Sequence, residues 1–202
     1  MFVIGITGPS GAGKGVISGI LSSLGMRVID ADKVYSEVIT PPSECLMELA
    51  REFGNEILNS DGALDRKALS KLVFGEENRE RLLLLNKITH KYVVRRIRET
   101  ADWYRVQGEK ACVIDAPLLI EAGLCDDCDL TIAVLADKAL RIERISRRDG
   151  ITCEAAMARI NSQKSDEFYS SNTDCVIYND TDIETLKSNV KGLLKDRKCG
   201  CL

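Results

Sequence analysis

Apolar positions along the chain follow two different spacings, and the switches between them predict the elements. Phe2 to Ile6 is a short apolar run with a glycine-rich turn behind it, which predicts a buried first strand. Val16, Ile17, Ile20, Leu21 and Leu24 then recur at helical spacing, and Gly25 ends that helix. A second short strand is expected at Arg27 to Ile29. Residues from about Ala31 to Phe53 read as helical, interrupted by Pro41-Pro42. After the Asp61-Gly62 turn signal, Asp65 stands where a helix cap belongs, and helical patterns run on to about Tyr104. Leu82, Leu85, Ile88 and Tyr92 mark one apolar face of that stretch. Three more strands are predicted, at Ala111–Ile114, Leu130–Leu135 and Cys175–Tyr178. Between the last two, one helix carries Ala139, Ile142 and Ile145 on its inner face, and a shorter helix follows over Thr152 to Gln163. A final helix, opened by Thr181-x-x-Glu184 as a capping box, buries Ile183, Leu186, Val190 and Leu193.

Strands alternating with helices imply a mostly parallel sheet covered on both faces. The fold class expected is therefore α/β, three layers with five strands. The strandless stretch 61–104 reads as a helical insertion. Segments 1–60 and 105–202 then form the α/β core, with a candidate lid at about 141–170 inside it.

Composition narrows the functional classes. Net charge is −3, which gives no electrostatic footprint for a nucleic-acid partner. No apolar run approaches the ~20 residues of a membrane span, and Met1 to Thr7 has neither the basic start nor the cleavage site of a signal peptide. A soluble, cytoplasmic chain is expected, its eight cysteines reduced. Cys125 and Cys128 have the spacing of a zinc pair, but a single histidine offers little variety for a four-ligand site. The C-terminal Cys199-Gly200-Cys201-Leu202 has the outline of a prenylation box without aliphatic middle residues, and reads as a frayed tail.

The strongest motif is Gly8-Pro9-Ser10-Gly11-Ala12-Gly13-Lys14-Gly15, the G-x-x-x-x-G-K core of a P-loop. A strand precedes it and a helix follows, as the motif requires. Its glycines let backbone N–H groups approach phosphate oxygens, the helix start adds a positive dipole end, and Lys14 adds a full charge. Gly8, Gly11, Ala12, Gly13, Lys14, Gly15 and Val16 are thus the expected ATP-binding residues. Gly15 breaks the pattern: the position after the lysine normally carries a Ser or Thr whose hydroxyl meets Mg²⁺. Ser18, about one turn further on, is too far along the helix to replace that hydroxyl directly.

Two acids, Asp30 and Asp32, close the second strand. The carboxyl edge of a parallel sheet faces the ligand crevice, and a kinase acting on a hydroxyl needs a carboxylate to orient it and take its proton. Either acid could instead cap the next helix. Asp115, at the end of the third strand, stands where P-loop enzymes place an acid near Mg²⁺, with contact expected through water.

Taken together, the P-loop with Ile29-Asp30-Ala31-Asp32, Leu64-Asp65-Arg66, and the Asp-x-Pro-Leu-Leu-x-Glu of residues 115–121 resemble dephospho-coenzyme A kinases. Ile142-Glu143-Arg144, Arg147-Arg148-Asp149-Gly150, Ala158-Arg159-Ile160, Gln163 and Val176-Ile177 with Asn179 continue the resemblance almost end to end. It implies a P-loop NTPase fold, ATP and Mg²⁺, and transfer to the ribose 3′-hydroxyl of dephospho-coenzyme A. It also implies Asp32 as base, a helical insertion that receives the substrate's long arm, and an arginine lid. Asn179 lies where the family holds adenine. Asp32, Asp115, Pro117, Leu118 and His90 are the substrate-side residues it suggests, with Lys14 and Arg144 serving catalysis. The chain departs from the family at Gly15, at Ile88-Thr89-His90-Lys91 in place of Leu-His-Pro, and after Gln163.

Arg141, Arg144 and Arg148 share one helix face. Arg144 and Arg148 match the family pattern and are expected on the phosphates, whereas Arg141 reads as part of a solvated stripe. Asn86-Lys87-Ile88-Thr89 is a poor likeness of a guanine reader, since Thr89 replaces the acid. Two other readings fit the residues less well: a nucleotide-binding regulatory protein that transfers weakly because of Gly15, and a kinase of another nucleoside or nucleotide.

Overall fold

The computed structural model describes residues 1–196; the Cys199–Leu202 tail lies outside them. In chain order the elements are β1 (Phe2–Thr7), α1 (Lys14–Ser23), β2 (Arg27–Asp30), α2 (Ala31–Val38), α3 (Glu44–Phe53), α4 (Arg66–Val73) and α5 (Arg79–Val106). Then follow β3 (Ala111–Asp115), β4 (Leu130–Leu135), α6 (Lys138–Asp149), α7 (Cys153–Asn161), α8 (Asp166–Ser171), β5 (Cys175–Tyr178) and α9 (Ile183–Asp196). They form two compact units, Met1–Ile29 with Ala101–Leu202, and Asp30–Thr100.

The first unit is built on a five-stranded sheet in the order β2-β3-β1-β4-β5. The pairs β1·β3, β1·β4 and β4·β5 are parallel. Ile4, Ile6, Val113, Ile132 and Val134 alternate onto one face, where Ile17, Ile20 and Leu21 of α1 and Leu186, Val190 and Leu194 of α9 cover them. On another patch of the sheet, Ala133 and Leu135 pack with Tyr169 of α8. Burying apolar area on this scale, at roughly 25 cal/mol per Å², is what offsets the ordering of the chain. Parallel strands bring their carboxyl ends to one edge, the edge at which such sheets bind ligands.

The second unit is helical. Ile39, Cys45, Leu49, Phe53, Leu69, Val73, Ile88 and Tyr92 form its core. Glu48 of α3 ties to α5 by accepting hydrogen bonds from Lys91 Nζ and the Tyr92 hydroxyl, both at 2.5 Å. These bonds hold the Glu48 carboxyl below the usual carboxylate range. The unit begins at Asp30 rather than at residue 61, because α2 and α3 supply part of the same core that α4 and α5 close. Asp65 caps α4 as expected, accepting from the N–H groups of Lys67 and Ala68.

Three local expectations need correction. The cap of α9 is Asp182, whose carboxylate accepts from the N–H groups of Glu184 and Thr185, so the helix starts later than a Thr181 capping box requires. Its buried stripe is accordingly Leu186, Val190 and Leu194, with Ile183 exposed. In α6 Ile145 is buried and Ile142 packs against the same cluster as expected, but Ala139 is exposed and Arg141 is buried in its stead. The segment after Gln163 forms a helix, α8, with the Ser165 hydroxyl capping it. No helix among the described residues is long and apolar enough to cross a membrane.

Candidate active site

The loop between β1 and α1 is defined by where its carbonyls go. Lys14 Nζ donates to Gly8 O at 2.8 Å, and the Ala12 N–H to Pro9 O at 3.3 Å. Arg141 Nε donates to Ser10 O at 3.1 Å, and Arg144 Nη1 to Gly11 O at 3.3 Å. Asn179 Nδ2 donates to Ala12 O at 2.8 Å, and the Val16 N–H to Gly13 O at 2.9 Å. Every carbonyl from Gly8 to Gly13 is therefore engaged by the protein. At the same time no side chain caps the first turn of α1. A helix start with no side-chain cap and a positive dipole end, approached through a loop whose carbonyls are already occupied, is a seat for an anion. The lysine and two arginines bonded to the same loop give the seat the sign a polyphosphate needs.

Gly13 shows how tight this construction is. Its φ is +90°, and a Cβ there would lie 2.0 Å from Asn179 Nδ2. Asn179 is buried, and its own N–H donates to Leu135 O at 2.8 Å, so the turn after β5 is fixed to the end of β4. Arg144 Nη2 reaches the Asn179 carbonyl at 2.9 Å. Asn179 thus meets the loop through its side chain and α6 through its backbone.

Asp115 ends β3 opposite Ile6 in the parallel register. Its Oδ2 accepts from the Ser18 hydroxyl at 2.5 Å, and Ser18 Oγ also lies 3.2 Å from Lys14 O. The sequence offers no hydroxyl at Gly15, yet the structure does bring one to the acid, from one turn further along α1. Spacing along the helix alone could not reveal this, because the contact depends on how closely α1 packs on β3. Beyond Asp115, Thr7 Oγ1 donates to Pro117 O at 3.1 Å and fixes the next turn, where Leu118 is exposed.

Arg141 is the clearest miss. It is not on a solvated stripe: its side chain is 5% exposed. Besides Ser10 O it reaches Gln163 Oε1 at 3.1 Å and Asp166 Oδ1 at 3.2 Å. Arg148 has a different environment. It is exposed and paired side by side with the Asp149 carboxylate, at 2.7 and 3.0 Å, and Arg159 of α7 bonds the same carboxylate. Hydrogen bonds from Arg148 and then Arg159 hold the Asp149 carboxyl down at about 2.

The remaining candidates lie in the helical unit. Asp30 is the cap of α2, its Oδ1 accepting from the N–H groups of Asp32 and Lys33 at 3.0 and 3.2 Å. The Asp32 side chain is exposed in the first turn and makes no hydrogen bond or ion pair among the described residues. His90 is half-buried on α5. Thr89 beside it is buried and donates back to Leu85 O, which is the geometry of a packed helix and not of a base reader.

The CxxC pair lies in the first unit. Cys128 donates to Leu124 O at 3.2 Å, and burial pushes its thiol up to about 12. Burial raises the Cys125 thiol as well. Both thiols are partly buried. Among the described residues no group of three or more His, Cys, Asp or Glu could hold a metal ion.

Known proteins resemble this chain in sequence and in fold. Residues 2–185 match the family model described as dephospho-CoA kinase. A dephospho-CoA kinase of Dehalococcoides mccartyi is 39% identical over 197 residues, covering 98% of each chain. One from Corynebacterium glutamicum is 37% identical over 200 residues, covering 97% of each. Among solved structures, a Thermus thermophilus protein superposes with a TM-score of 0.77 at 30% identity, covering 96% of this chain and 97% of its own. The dephospho-CoA kinase from Campylobacter jejuni superposes with 0.62 at 25% identity, covering 96% of each. A shikimate kinase from Acinetobacter baumannii shares the fold, at 0.56 and 14% identity. The phosphate loop, the acid closing β3 and likeness along nearly the whole chain converge: the chain belongs to the dephospho-CoA kinase family.

Proposed function

We propose that the protein transfers the γ-phosphoryl group of ATP to the ribose 3′-hydroxyl of dephospho-coenzyme A, giving coenzyme A and ADP. The observation that carries this reading is the loop whose six carbonyls, Gly8 to Gly13, are all engaged while the start of α1 stays uncapped. In this reading the loop N–H groups and Lys14 hold the phosphates, and Arg144 adds charge where the transferred group becomes metaphosphate-like. The substrate 3′-oxygen attacks the γ-phosphorus, the bond from phosphorus to the bridging oxygen breaks, and ADP leaves. Asp32 takes the hydroxyl proton. Its carboxylate suits that role better than that of Asp30, which is held by two backbone N–H groups.

Asp115 supplies the oxygen donor that suits Mg²⁺, a hard cation that keeps several waters and uses one or two carboxylates plus substrate phosphates. When bound, the ion neutralises charge on the phosphates. Ser18 orients the Asp115 carboxylate. We also assign the helical unit to the substrate's long arm, with His90 on its α5, and Pro117 and Leu118 beyond Asp115 to the acceptor side. The test is ADP release from ATP with dephospho-coenzyme A, a nucleoside and a nucleoside monophosphate as alternative acceptors, with Lys14→Ala as control. Release with dephospho-coenzyme A alone, abolished by Lys14→Ala, supports the reading. Preference for another acceptor, or full activity of Lys14→Ala, overturns it.

A further inference from the structure

A guanidinium carries a full charge and five N–H donors, and burying one is unfavourable unless those donors are satisfied and the charge is paired. Arg141 is buried directly behind the phosphate loop, and three of its nitrogens have partners on two different segments. Nε bonds the loop at Ser10 O. Nη2 and Nη1 bond Gln163 and Asp166, which bracket the turn between α7 and α8. Gln163 closes the circuit: its Oε1 also accepts the Ser10 N–H, at 3.2 Å. Both backbone groups of Ser10 are thus taken, one by Arg141 and one by Gln163.

The backbone of α6 is as close as the side chain. A Cβ on Gly11 would lie 2.9 Å from Arg141 O and 3.0 Å from Arg141 Cα, and Gly11 has a φ of +79°. The first limb of the loop therefore rests on Arg141, and Asp166 is the anion that pairs its charge. None of the three side chains needs to touch the nucleotide to matter. They fix Ser10, and with it the path of the N–H groups that follow.

We propose that Arg141 is a positioning residue for the phosphate loop, acting with Gln163 and Asp166 to couple the α7–α8 turn to ATP binding. The proposal rests on the reading of the loop as the ATP phosphate site. It predicts that loosening the turn weakens ATP binding at a distance, and that the other substrate is unaffected.

The experiment compares wild type with Arg141→Met, Arg141→Lys, Gln163→Ala and Asp166→Asn. Three quantities are read: KM for ATP and for dephospho-coenzyme A with kcat, equilibrium ATP affinity, and amide hydrogen exchange at Ser10. Arg141→Met and Gln163→Ala are expected to raise KM for ATP by ~10-fold or more, since small misplacements of a binding group are costly. Ser10 exchange should accelerate in both, and KM for dephospho-coenzyme A should hold. Arg141→Lys, which keeps the charge and loses the fork, should fall between wild type and Arg141→Met. Should Arg141→Met fail to fold, Gln163→Ala and Asp166→Asn leave the guanidinium in place and carry the same prediction. Variants that melt earlier but keep wild-type ATP affinity and Ser10 exchange would overturn the proposal, reducing Arg141 to a packing residue. Wild type that does not bind ATP would instead refute the reading of the loop.

Discussion

Adding one methyl group at Gly13 or at Gly15 should have opposite effects, although the two glycines are only two residues apart. At Gly13 a Cβ meets Asn179 Nδ2 at 2.0 Å, on a backbone with φ of +90°. The left-handed conformation alone costs a residue with a Cβ about 1–2 kcal/mol. Displacing the Asn179 amide also strands the buried Ala12 carbonyl, a further loss of about 1–3 kcal/mol. The sum for Gly13→Ala is roughly 2–5 kcal/mol, and at ~2–4 °C per kcal/mol for a chain of this size the melting temperature should fall by on the order of 10 °C. At Gly15 a Cβ meets nothing within 4 Å, and the residue is already in α1. Gly15→Ala should therefore stabilise, by up to ~1 kcal/mol from helix propensity. Thermal unfolding by circular dichroism, with ATP affinity measured alongside, tests the pair. Equal melting temperatures for the two variants, or a Gly13→Ala protein with wild-type stability and ATP affinity, would refute the packing of Asn179 on the loop.

Three more outcomes are expected. Asp32→Asn should lower kcat by ~10²-fold or more with ATP affinity little changed; near-wild-type kcat would return the proton to Asp30 or to solvent. Gly15→Ser has room for its hydroxyl, and it should lower the Mg²⁺ concentration giving half-maximal rate and tighten Mg²⁺ binding measured by calorimetry with ATP present; an unchanged Mg²⁺ dependence would mean that the Ser18–Asp115 pair already suffices. The Asp149 carboxyl, depressed from 3.8 to about 2 by Arg148 and Arg159, stabilises the fold fully above its unfolded value, and that contribution fades as pH falls from about 4 to about 2. A carbon-detected NMR titration should place its midpoint near the lower figure and move it upward in Arg148→Ala; a wild-type midpoint near the ordinary value contradicts the pairing.

Much of this architecture follows from local sequence. The boundaries of β4 and β5 fall where apolar runs meet turn residues, and Asp65 caps α4 because an acid before a helical pattern has few better uses. The phosphate loop was legible because its spacing serves one ligand class. Asp30 and Asp32 could not be separated from sequence, since both are good caps; only the observed N–H partners assign the cap to Asp30. Arg141 was misread because its helical stripe, shared with Arg144 and Arg148, is that of a solvated face. Its burial depends on contacts more than a hundred residues away, at Ser10, and on the turn before α8. Ser18 was discounted on distance along α1, while the acid it bonds comes from a different strand. In each case the signal is tertiary: it lies in which elements pack together, not in the period of any one of them.

The acceptor and the position of transfer define this enzyme's reaction. Incubating the protein with ATP, Mg²⁺ and dephospho-coenzyme A, then assigning the product by phosphorus NMR and mass spectrometry, addresses both at once. The prediction is one new phosphate monoester on the ribose 3′-oxygen, formed in step with ADP and absent from Lys14→Ala. ADP released without that monoester, or a phosphate placed on any other oxygen, would contradict it.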